Sequence, residues 1–161
     1  MRARYAASMQ AGDLVSDFEL PDENGTPRRL SDLARNGPVV LFFYPGAMTS
    51  GCTRESCHFR DVNGEFEALG AHPVGISTDP VAKQKQFSDL HSFPFPLLSD
   101  EGGAVARQFG ALRRIAMLGT RRRTYVIDAN LRVVEVIRSE VSMSAHADRA
   151  LEVLRSRATT T

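Results

Sequence analysis

Residues 38–61 read PVVLFFYPGAMTSGCTRESCHFRD and carry the most informative pattern of the chain. The first seven are a continuous apolar run rich in β-branched and aromatic side chains, which is typical of a strand buried on both faces of a sheet. A Pro-Gly pair ends this run. Apolar residues then recur at spacings of three and four, namely Phe59, Val62, Phe66 and Leu69. This spacing predicts an amphipathic helix from Cys52 to Gly70, weakened in its middle by Gly64.

The segment before this stretch predicts a β-hairpin followed by a short helical turn. Asn24 and Gly25 lie between two short arms that contain apolar residues, which is a hairpin signal. Ser31 and Asp32 follow, and both residue types favour the cap of a helical turn.

The segment after it alternates strand and helix patterns. Residues 73–77 predict a second buried strand, and Asp79-Pro80 predicts a cap and a proline start for a helix that ends near His91. Ser144 is a candidate cap for a final helix with one apolar face. The remaining predictions are an extended piece at 95–100, a short helix at 101–110 closed by Gly110, and two strands in 124–137 joined at 128–130.

This order of elements predicts an α/β class. Strand, helix, strand, helix, hairpin, helix is the order of a thioredoxin-like fold, with a central mixed β-sheet, helices on both faces and an N-terminal β-hairpin. A chain of 161 residues can bury one proper core. We therefore predict a single domain over residues 1–161, with residues 1–10 as a flexible extension.

Composition and charge exclude several classes of protein. The chain is 42% hydrophobic and 24% charged, which is typical of a globular protein rather than a disordered one. Arg113, Arg114 and Arg121–Arg123 are its sharpest basic cluster, but the net charge of +1 argues against a nucleic-acid partner. No apolar run approaches the length of a membrane helix, and the basic N-terminus lacks the apolar core of a signal peptide. We expect a cytoplasmic protein with no membrane partner.

Both cysteines of the chain lie in the quoted stretch. Two cysteines in a cytoplasmic chain are more often reactive than structural. Cys52 falls where the strand gives way to the helix, so that unpaired N–H groups and the positive end of the helix dipole favour a thiolate there. A thiolate in this position suits nucleophilic attack. The alternative is a buried cysteine that packs as a small apolar side chain.

Cys57 lies five residues further along the predicted helix. Five residues of ideal helix rise about 7.5 Å, which exceeds the usual Cα separation of roughly 4.4–6.8 Å in a disulfide. If the two cysteines pair, the helix must unwind locally, and a strained, easily reduced bond of that kind suits turnover. Gly51 and the polar residues 53–56 lower the cost of unwinding. The alternative is that Cys57 never pairs.

Other site chemistries lack their signatures. The C-x-x-C of thioredoxin-type exchange is absent, and His58, His72, His91 and His146 lack the spacing of metal ligands. No phosphate-binding loop or G-x-G-x-x-G stretch is present. We therefore expect neither a metal nor a cofactor.

The cysteine stretch resembles the peroxiredoxins. PGAMTSGC, residues 45–52, matches their P-x-x-x-T-x-x-C motif, and the spacing of Cys52 and Cys57 resembles that of the Q-type branch, also called bacterioferritin comigratory proteins. Four further segments resemble the same branch in the same order, so the likeness covers nearly the whole chain. They are GDLVSDFELPDENGTPRRLSDL (12–33), VGISTDPVAKQKQF (74–87), FPFPLLSDEGGAVARQFG (93–110) and RRTYVID (122–128).

The resemblance implies a role for six residues. Cys52 matches the peroxidatic cysteine and Cys57 the resolving cysteine. Thr49 matches the threonine whose hydroxyl bridges thiolate and peroxide, and Pro45 matches the proline that shields the site. Arg122 matches the arginine beside the sulfur, and Glu55 matches a frequent acidic residue. Since Arg122 lies within Arg121–Arg123, a shift of one residue would transfer its role to a neighbour.

The implied activity is a thiol peroxidase that acts on hydrogen peroxide and organic hydroperoxides without metal, haem or flavin. Its partners would be the hydroperoxide and a dithiol reductant such as thioredoxin, and the protein would be a monomer or a weak homodimer. Two alternatives stay open: a redox sensor that uses the same disulfide as a switch, and a non-catalytic thioredoxin-like interaction domain with inert thiols.

Overall fold

The computed structural model describes residues 8–115 and 119–159. Five strands in the described ranges form one mixed sheet: β3 (Val39–Phe43), β4 (His72–Ser77), β5 (Leu97–Ser99), β6 (Arg123–Ile127) and β7 (Val133–Arg138). Their order across the sheet is β5-β4-β3-β6-β7. The pairs β3–β4 and β4–β5 are parallel, whereas β3–β6 and β6–β7 are antiparallel. The apolar run therefore forms the central strand, as predicted.

A two-stranded antiparallel hairpin precedes this sheet. It consists of β1 (Glu19–Pro21) and β2 (Pro27–Arg29), joined through the predicted Asn24-Gly25 turn. Gly25 has a φ of 75°, a left-handed conformation that glycine adopts without steric cost.

Every residue of β3 is buried, because helices cover both faces of the sheet. Val40, Phe42 and Tyr44 belong to one apolar cluster, while the alternate residues Val39, Leu41 and Phe43 belong to the other. The helices are α1 (Leu30–Leu33), α2 (Ser50–Asp61), α3 (Asn63–Ala68), α4 (Val81–His91), α5 (Ala104–Phe109) and α6 (Ala145–Ala158). The first cluster contains side chains of α2, α3, α4 and α6, and the second contains those of α1 and α5. The predicted thioredoxin-like α/β fold is confirmed.

The predicted helix from Cys52 to Gly70 is interrupted. α2 ends at Asp61 and α3 begins at Asn63, and Val62 between them has a φ of −104° and a ψ of 11°. Asn and Gly are poor helix formers, so the Asn63-Gly64 pair favours a break there rather than a weakened continuous helix. The break leaves both cysteines in α2.

Two of the three predicted helix caps were wrong. Ser31 and Asp32 lie inside α1, and the Ser31 amide donates to the carboxylate of Asp17, a residue outside the helix (2.9 Å). The N-cap of α4 is Pro80, and the carboxylate of Asp79 makes tertiary hydrogen bonds instead. Ser144 is confirmed as the N-cap of α6, although its hydroxyl makes no capping hydrogen bond.

The predicted extension at residues 1–10 falls mostly outside the described residues. Within them, the amide of Met9 donates to the carbonyl of Phe109 (3.1 Å), and the amide of Gln10 donates to Asp13 (2.9 Å).

Candidate active site

Cys52 lies in the first turn of α2, immediately beyond the loop 44–49 that leaves the central strand. Its side chain is fully buried and belongs to the apolar cluster that α2 shares with the sheet. The first turn is closed by the Thr53 amide, which donates to the carbonyl of Thr49 (2.9 Å). The strand-to-helix position predicted for Cys52 is therefore confirmed.

Arg122 reaches the sulfur from the neighbouring strand. Phe43 at the end of β3 pairs with Arg123 at the start of β6, so Arg122 lies beside the first residue of the loop. Its Nη2 donates to the Sγ of Cys52 (3.4 Å), and its Nη1 donates to the carboxylate of Glu55. Only 6% of Arg122 is exposed, so this cation faces the sulfur with little screening by water.

The other two arginines of the run point elsewhere. Arg121 is exposed, and the guanidinium of Arg123 donates to the carbonyl of Arg122 (3.1 Å) and lies 3.5 Å from the carboxylate of Glu140. Arg122 is therefore the member of Arg121–Arg123 that contacts Cys52.

Glu55 completes a buried charged group with Arg122. It is fully buried on the same helix face as Cys52, one turn further along, and one carboxylate oxygen has no hydrogen-bond partner among the described residues. Burial raises the pKa of Glu55 to about 7, although the guanidinium of Arg122 opposes that shift. Burial alone would lower the pKa of Arg122, but Glu55 and Cys52 together raise it above its ordinary value.

A close approach explains the glycine just before Cys52. A Cβ atom on Gly51 would lie 3.2 Å from Nη2 of Arg122 and 3.5 Å from Sδ of Met143. A larger residue would crowd the guanidinium that contacts the sulfur. The sequence pattern relates Gly51 only to helix unwinding and carries no sign of this steric requirement.

Thr49 and Pro45 lie in the loop 44–49. The hydroxyl of Thr49 donates to the carbonyl of Gly46 (2.8 Å), and its side chain is exposed at the start of α2. The carbonyl of Pro45 lies against Gly119, where a Cβ atom would come within 2.4 Å of the oxygen. Both residues thus lie in the loop that leads into α2, and their chemical roles stay predictions.

Cys57 has different surroundings. It lies in the same unbroken helix as Cys52, is partly buried against the first apolar cluster, and both cysteines are free thiols. Burial raises the pKa of Cys57; Arg60 opposes the shift and Asp61 adds to it. Pairing with Cys52 therefore remains a prediction that requires α2 to open.

Sequence reasoning missed two acidic residues that hold this site. Glu140, after β7, accepts a hydrogen bond from the amide of Arg122 (3.1 Å). Asp79, after β4, accepts one from the amide of Ala47 in the loop 44–49 (2.7 Å). Both contacts join segments far apart in the chain, and neither has a local motif that would have revealed it.

The described residues contain no group of His, Cys, Asp and Glu that could hold a metal ion. Of the four histidines, His146 is fully buried with both ring nitrogens bonded, to the Thr124 hydroxyl (2.7 Å) and to the Ser139 carbonyl (2.7 Å). Across residues 8–115 and 119–159, no helix has the length and apolar character needed to cross a membrane.

Comparison with known proteins relates this geometry to a family. The sequence model of the AhpC/TSA family matches residues 11–136. The chain belongs to the AhpC/TSA family. The resemblance to Q-type peroxiredoxins is likewise confirmed, since the chloroplastic peroxiredoxin Q of Sedum lineare is 37% identical over 150 residues, covering 93% of this chain and 80% of that one.

Solved peroxiredoxin structures share the fold. The crystal structure of peroxidoxin BcpB from Mycobacterium tuberculosis superposes with a TM-score of 0.88 at 57% identity, covering 92% of this chain and 97% of that one. The bacterioferritin comigratory protein of Xanthomonas campestris superposes with a TM-score of 0.80 at 32% identity, covering 88% and 92%. This peroxiredoxin therefore shares its fold and nearly its whole length with both.

Proposed function

We propose that this peroxiredoxin reduces hydroperoxides with Cys52 as the nucleophile and Cys57 as the resolving thiol. The observation that carries the proposal is the buried contact between Nη2 of Arg122 and Sγ of Cys52 (3.4 Å) at the start of a helix. The guanidinium is a permanently charged donor that lies against the sulfur, and a thiolate is the nucleophile in thiol chemistry. Membership of the peroxiredoxin family fits a thiol-dependent peroxidase.

In the first step, the Cys52 thiolate attacks the terminal oxygen of R–O–O–H. A sulfur–oxygen bond forms, the oxygen–oxygen bond breaks, and its electron pair leaves with R–O⁻, which takes a proton to become the alcohol, or water when R is hydrogen. The sulfur loses two electrons and becomes a sulfenic acid, Cys52–S–O–H. Both hydrogen peroxide and alkyl hydroperoxides fit this step, and the Xanthomonas campestris relative is described by its alkyl peroxide reduction activity.

Negative charge builds on the departing oxygen in this step, so nearby donors accelerate it. The guanidinium of Arg122 is already held by Glu55, which leaves its second nitrogen directed at the sulfur. The Thr49 hydroxyl lies one turn before Cys52 and can exchange its bond to the Gly46 carbonyl for one to the peroxide. Pro45, at the start of the same loop, matches the family proline that shields the site from water.

In the second step, Cys57 attacks the sulfenic sulfur of Cys52, water leaves, and a disulfide forms. The first half of α2 must open for this, which releases Glu55 from Arg122. The second half has firm anchors, since the ring of Phe59 stacks on Phe42 (centroids 4.1 Å apart) and Arg60 donates to the carbonyl of His91 (2.8 Å). We infer that α2 opens from its N-terminal end.

A dithiol reductant then restores both thiols by exchange, and thioredoxin is the candidate. The test is peroxide consumption by the reduced protein with thioredoxin, thioredoxin reductase and NADPH, beside Cys52→Ser. Many turnovers per molecule that vanish in Cys52→Ser are the expected result. A single equivalent consumed by the wild type would favour the redox sensor, or a different reductant. No consumption beyond that of Cys52→Ser would refute the peroxidase.

A further inference from the structure

The loop 44–49 holds an unfavourable backbone conformation directly ahead of Cys52. Met48 has a φ of 71°, in the left-handed region that residues other than glycine seldom adopt. The same loop carries Thr49, whose hydroxyl must lie close to the sulfur for the proposed chemistry. A loop of this kind keeps one shape only if the surrounding structure holds it.

Buried side chains of the loop itself, of β4 and of α4, together with Asp79 after β4, make such a support. The hydroxyl of Tyr44 donates to Oε1 of Gln84 (2.5 Å), and Nε2 of Gln84 donates to the hydroxyl of Ser77 (3.0 Å). Ser77 in turn donates to Oδ2 of Asp79 (2.7 Å), which also accepts the amide of Ala47 (2.7 Å). The chain of bonds thus starts and ends on the loop 44–49 and is closed by β4 and α4. We call these bonds the loop brace.

The brace is well placed to hold the loop rigidly. Tyr44, Ser77 and Gln84 are fully buried, and hydrogen bonds are stronger in such surroundings than in water. A second bond from Nε2 of Gln84 to the carbonyl of Leu98 (2.8 Å) ties the brace to the adjacent strand. Asp79 is the one carboxylate of the brace, and its other oxygen lies 3.5 Å from Nζ of Lys83.

We propose that Asp79 is a positioning residue for the peroxidase step, acting through the Ala47 amide on the placement of Thr49. This inference rests on the proposed function. Asp79 touches neither the sulfur nor the peroxide. It fixes the middle of the loop, and the loop in turn fixes the hydroxyl that meets the peroxide at Cys52.

A comparison of two reagents separates positioning from general damage. Hydrogen peroxide needs correctly placed donors around its leaving oxygen, whereas iodoacetamide needs only an accessible thiolate. In the reduced protein, Asp79→Ala should react with hydrogen peroxide about tenfold more slowly than the wild type, with no corresponding fall in the rate of Cys52 alkylation. Asp79→Asn keeps an oxygen that can accept the Ala47 amide, so its peroxide rate should recover to within about threefold of the wild type.

Asp100 supplies the matched control. It is a buried carboxylate that accepts the amides of Val105 (3.1 Å) and Ala106 (2.9 Å) at the start of α5, and these two residues belong to the second apolar cluster, whereas Cys52 belongs to the first. Asp100→Asn should leave both rates unchanged even where it lowers the melting temperature. If Asp79→Ala does not fold, Ser77→Ala removes the middle of the brace and should show the same split between the reagents.

Several results would overturn the inference. They are an unchanged peroxide rate in a folded Asp79→Ala, an equal fall in its peroxide and alkylation rates, or the absence of a split in Ser77→Ala. A wild-type Cys52 that reacts with peroxide no faster than glutathione would instead overturn the proposed function itself.

Discussion

Cys52 and Cys57 share one helix, yet their surroundings differ in every respect that matters for thiol chemistry. Cys52 is fully buried at the helix N-terminus with Nη2 of Arg122 at 3.4 Å. Cys57 lies in the middle of the helix, is partly buried, and has its pKa raised by burial. A buried guanidinium bonded to the sulfur suits a nucleophile, whereas a partly buried thiol with a raised pKa suits a residue that reacts only after the helix opens.

Exchanging each cysteine for serine should produce the largest difference. Cys52→Ser should lose the reaction with peroxide, by about 10³-fold or more, because an alcohol is far less acidic than a thiol. Cys57→Ser should keep the first step at the wild-type rate but consume a single equivalent. Since the chain contains no tryptophan to report by fluorescence, competition with horseradish peroxidase is a suitable measurement. Normal turnover of Cys57→Ser with thioredoxin would end its resolving role.

Removing the guanidinium of Arg122 should greatly slow the reaction of Cys52 with peroxide. Arg122→Ala should slow the peroxide step by about 10²-fold, the cost of losing one donor aimed at the transition state. Arg121→Ala is the matched control, because Arg121 is the exposed neighbour in the same arginine run. Competition with horseradish peroxidase measures the peroxide rate of both variants, and equal rates would contradict the role given to Arg122.

The burial of Glu55 should be visible in the pH dependence of the free energy of unfolding. The folded pKa of Glu55, about 7, lies above the ordinary value of 4.5, so the folded state holds the proton more tightly. The contribution of Glu55 protonation to the stability of the folded state is complete below about pH 4 and is lost as pH rises through 7. Between pH 5 and pH 8, the free energy of unfolding measured in urea should therefore fall by about 2 kcal/mol more in the wild type than in Glu55→Gln.

Glu65 provides the control for this titration, because its pair with Arg155 (2.7 Å) is exposed on both sides. Glu65→Gln, measured beside Glu55→Gln, shows what the removal of an exposed carboxylate does to the same profile. A Glu55→Gln profile that runs parallel to the wild type would show that Glu55 does not titrate in this range.

The smallest effect concerns the second half of α2. His58 contacts Asp148 of α6 (2.7 Å), and this partly exposed pair holds the helix just beyond Cys57. Exposed pairs contribute little, so Asp148→Asn should speed disulfide formation by about twofold at most. Rapid quenching followed by mass spectrometry measures that rate. A large acceleration would mean that α2 opens from its C-terminal half, contrary to the proposed direction.

The sequence predicted the parts of this molecule that depend on local pattern. The apolar run at 38–44 became the central strand because both of its faces are covered, and Asn24-Gly25 formed the hairpin turn. The position of Cys52 followed from the junction of that strand with a helical pattern. The family motif, rather than periodicity, directed attention to Arg122.

What the sequence could not predict depends on tertiary contacts. The sequence predicts Asp79 as a helix cap, but the loop 44–49 lies close to it, and the amide of Ala47 donates a hydrogen bond to its carboxylate instead. Glu140 follows a strand and carries no signal of its contact with the amide of Arg122. The helix is interrupted at Val62 because Asn63 and Gly64, which follow it, have weak helix propensity that packing does not overcome.

The most direct test is to locate the first oxidised sulfur. Reduced wild-type protein is mixed with one equivalent of hydrogen peroxide in the presence of dimedone, quenched at successive times, and its peptides are mapped by mass spectrometry. We predict a dimedone adduct on Cys52 at the earliest times and a Cys52–Cys57 disulfide afterwards. An adduct on Cys57, or a Cys52 that stays unmodified while peroxide is consumed, would contradict the assignment of the nucleophile.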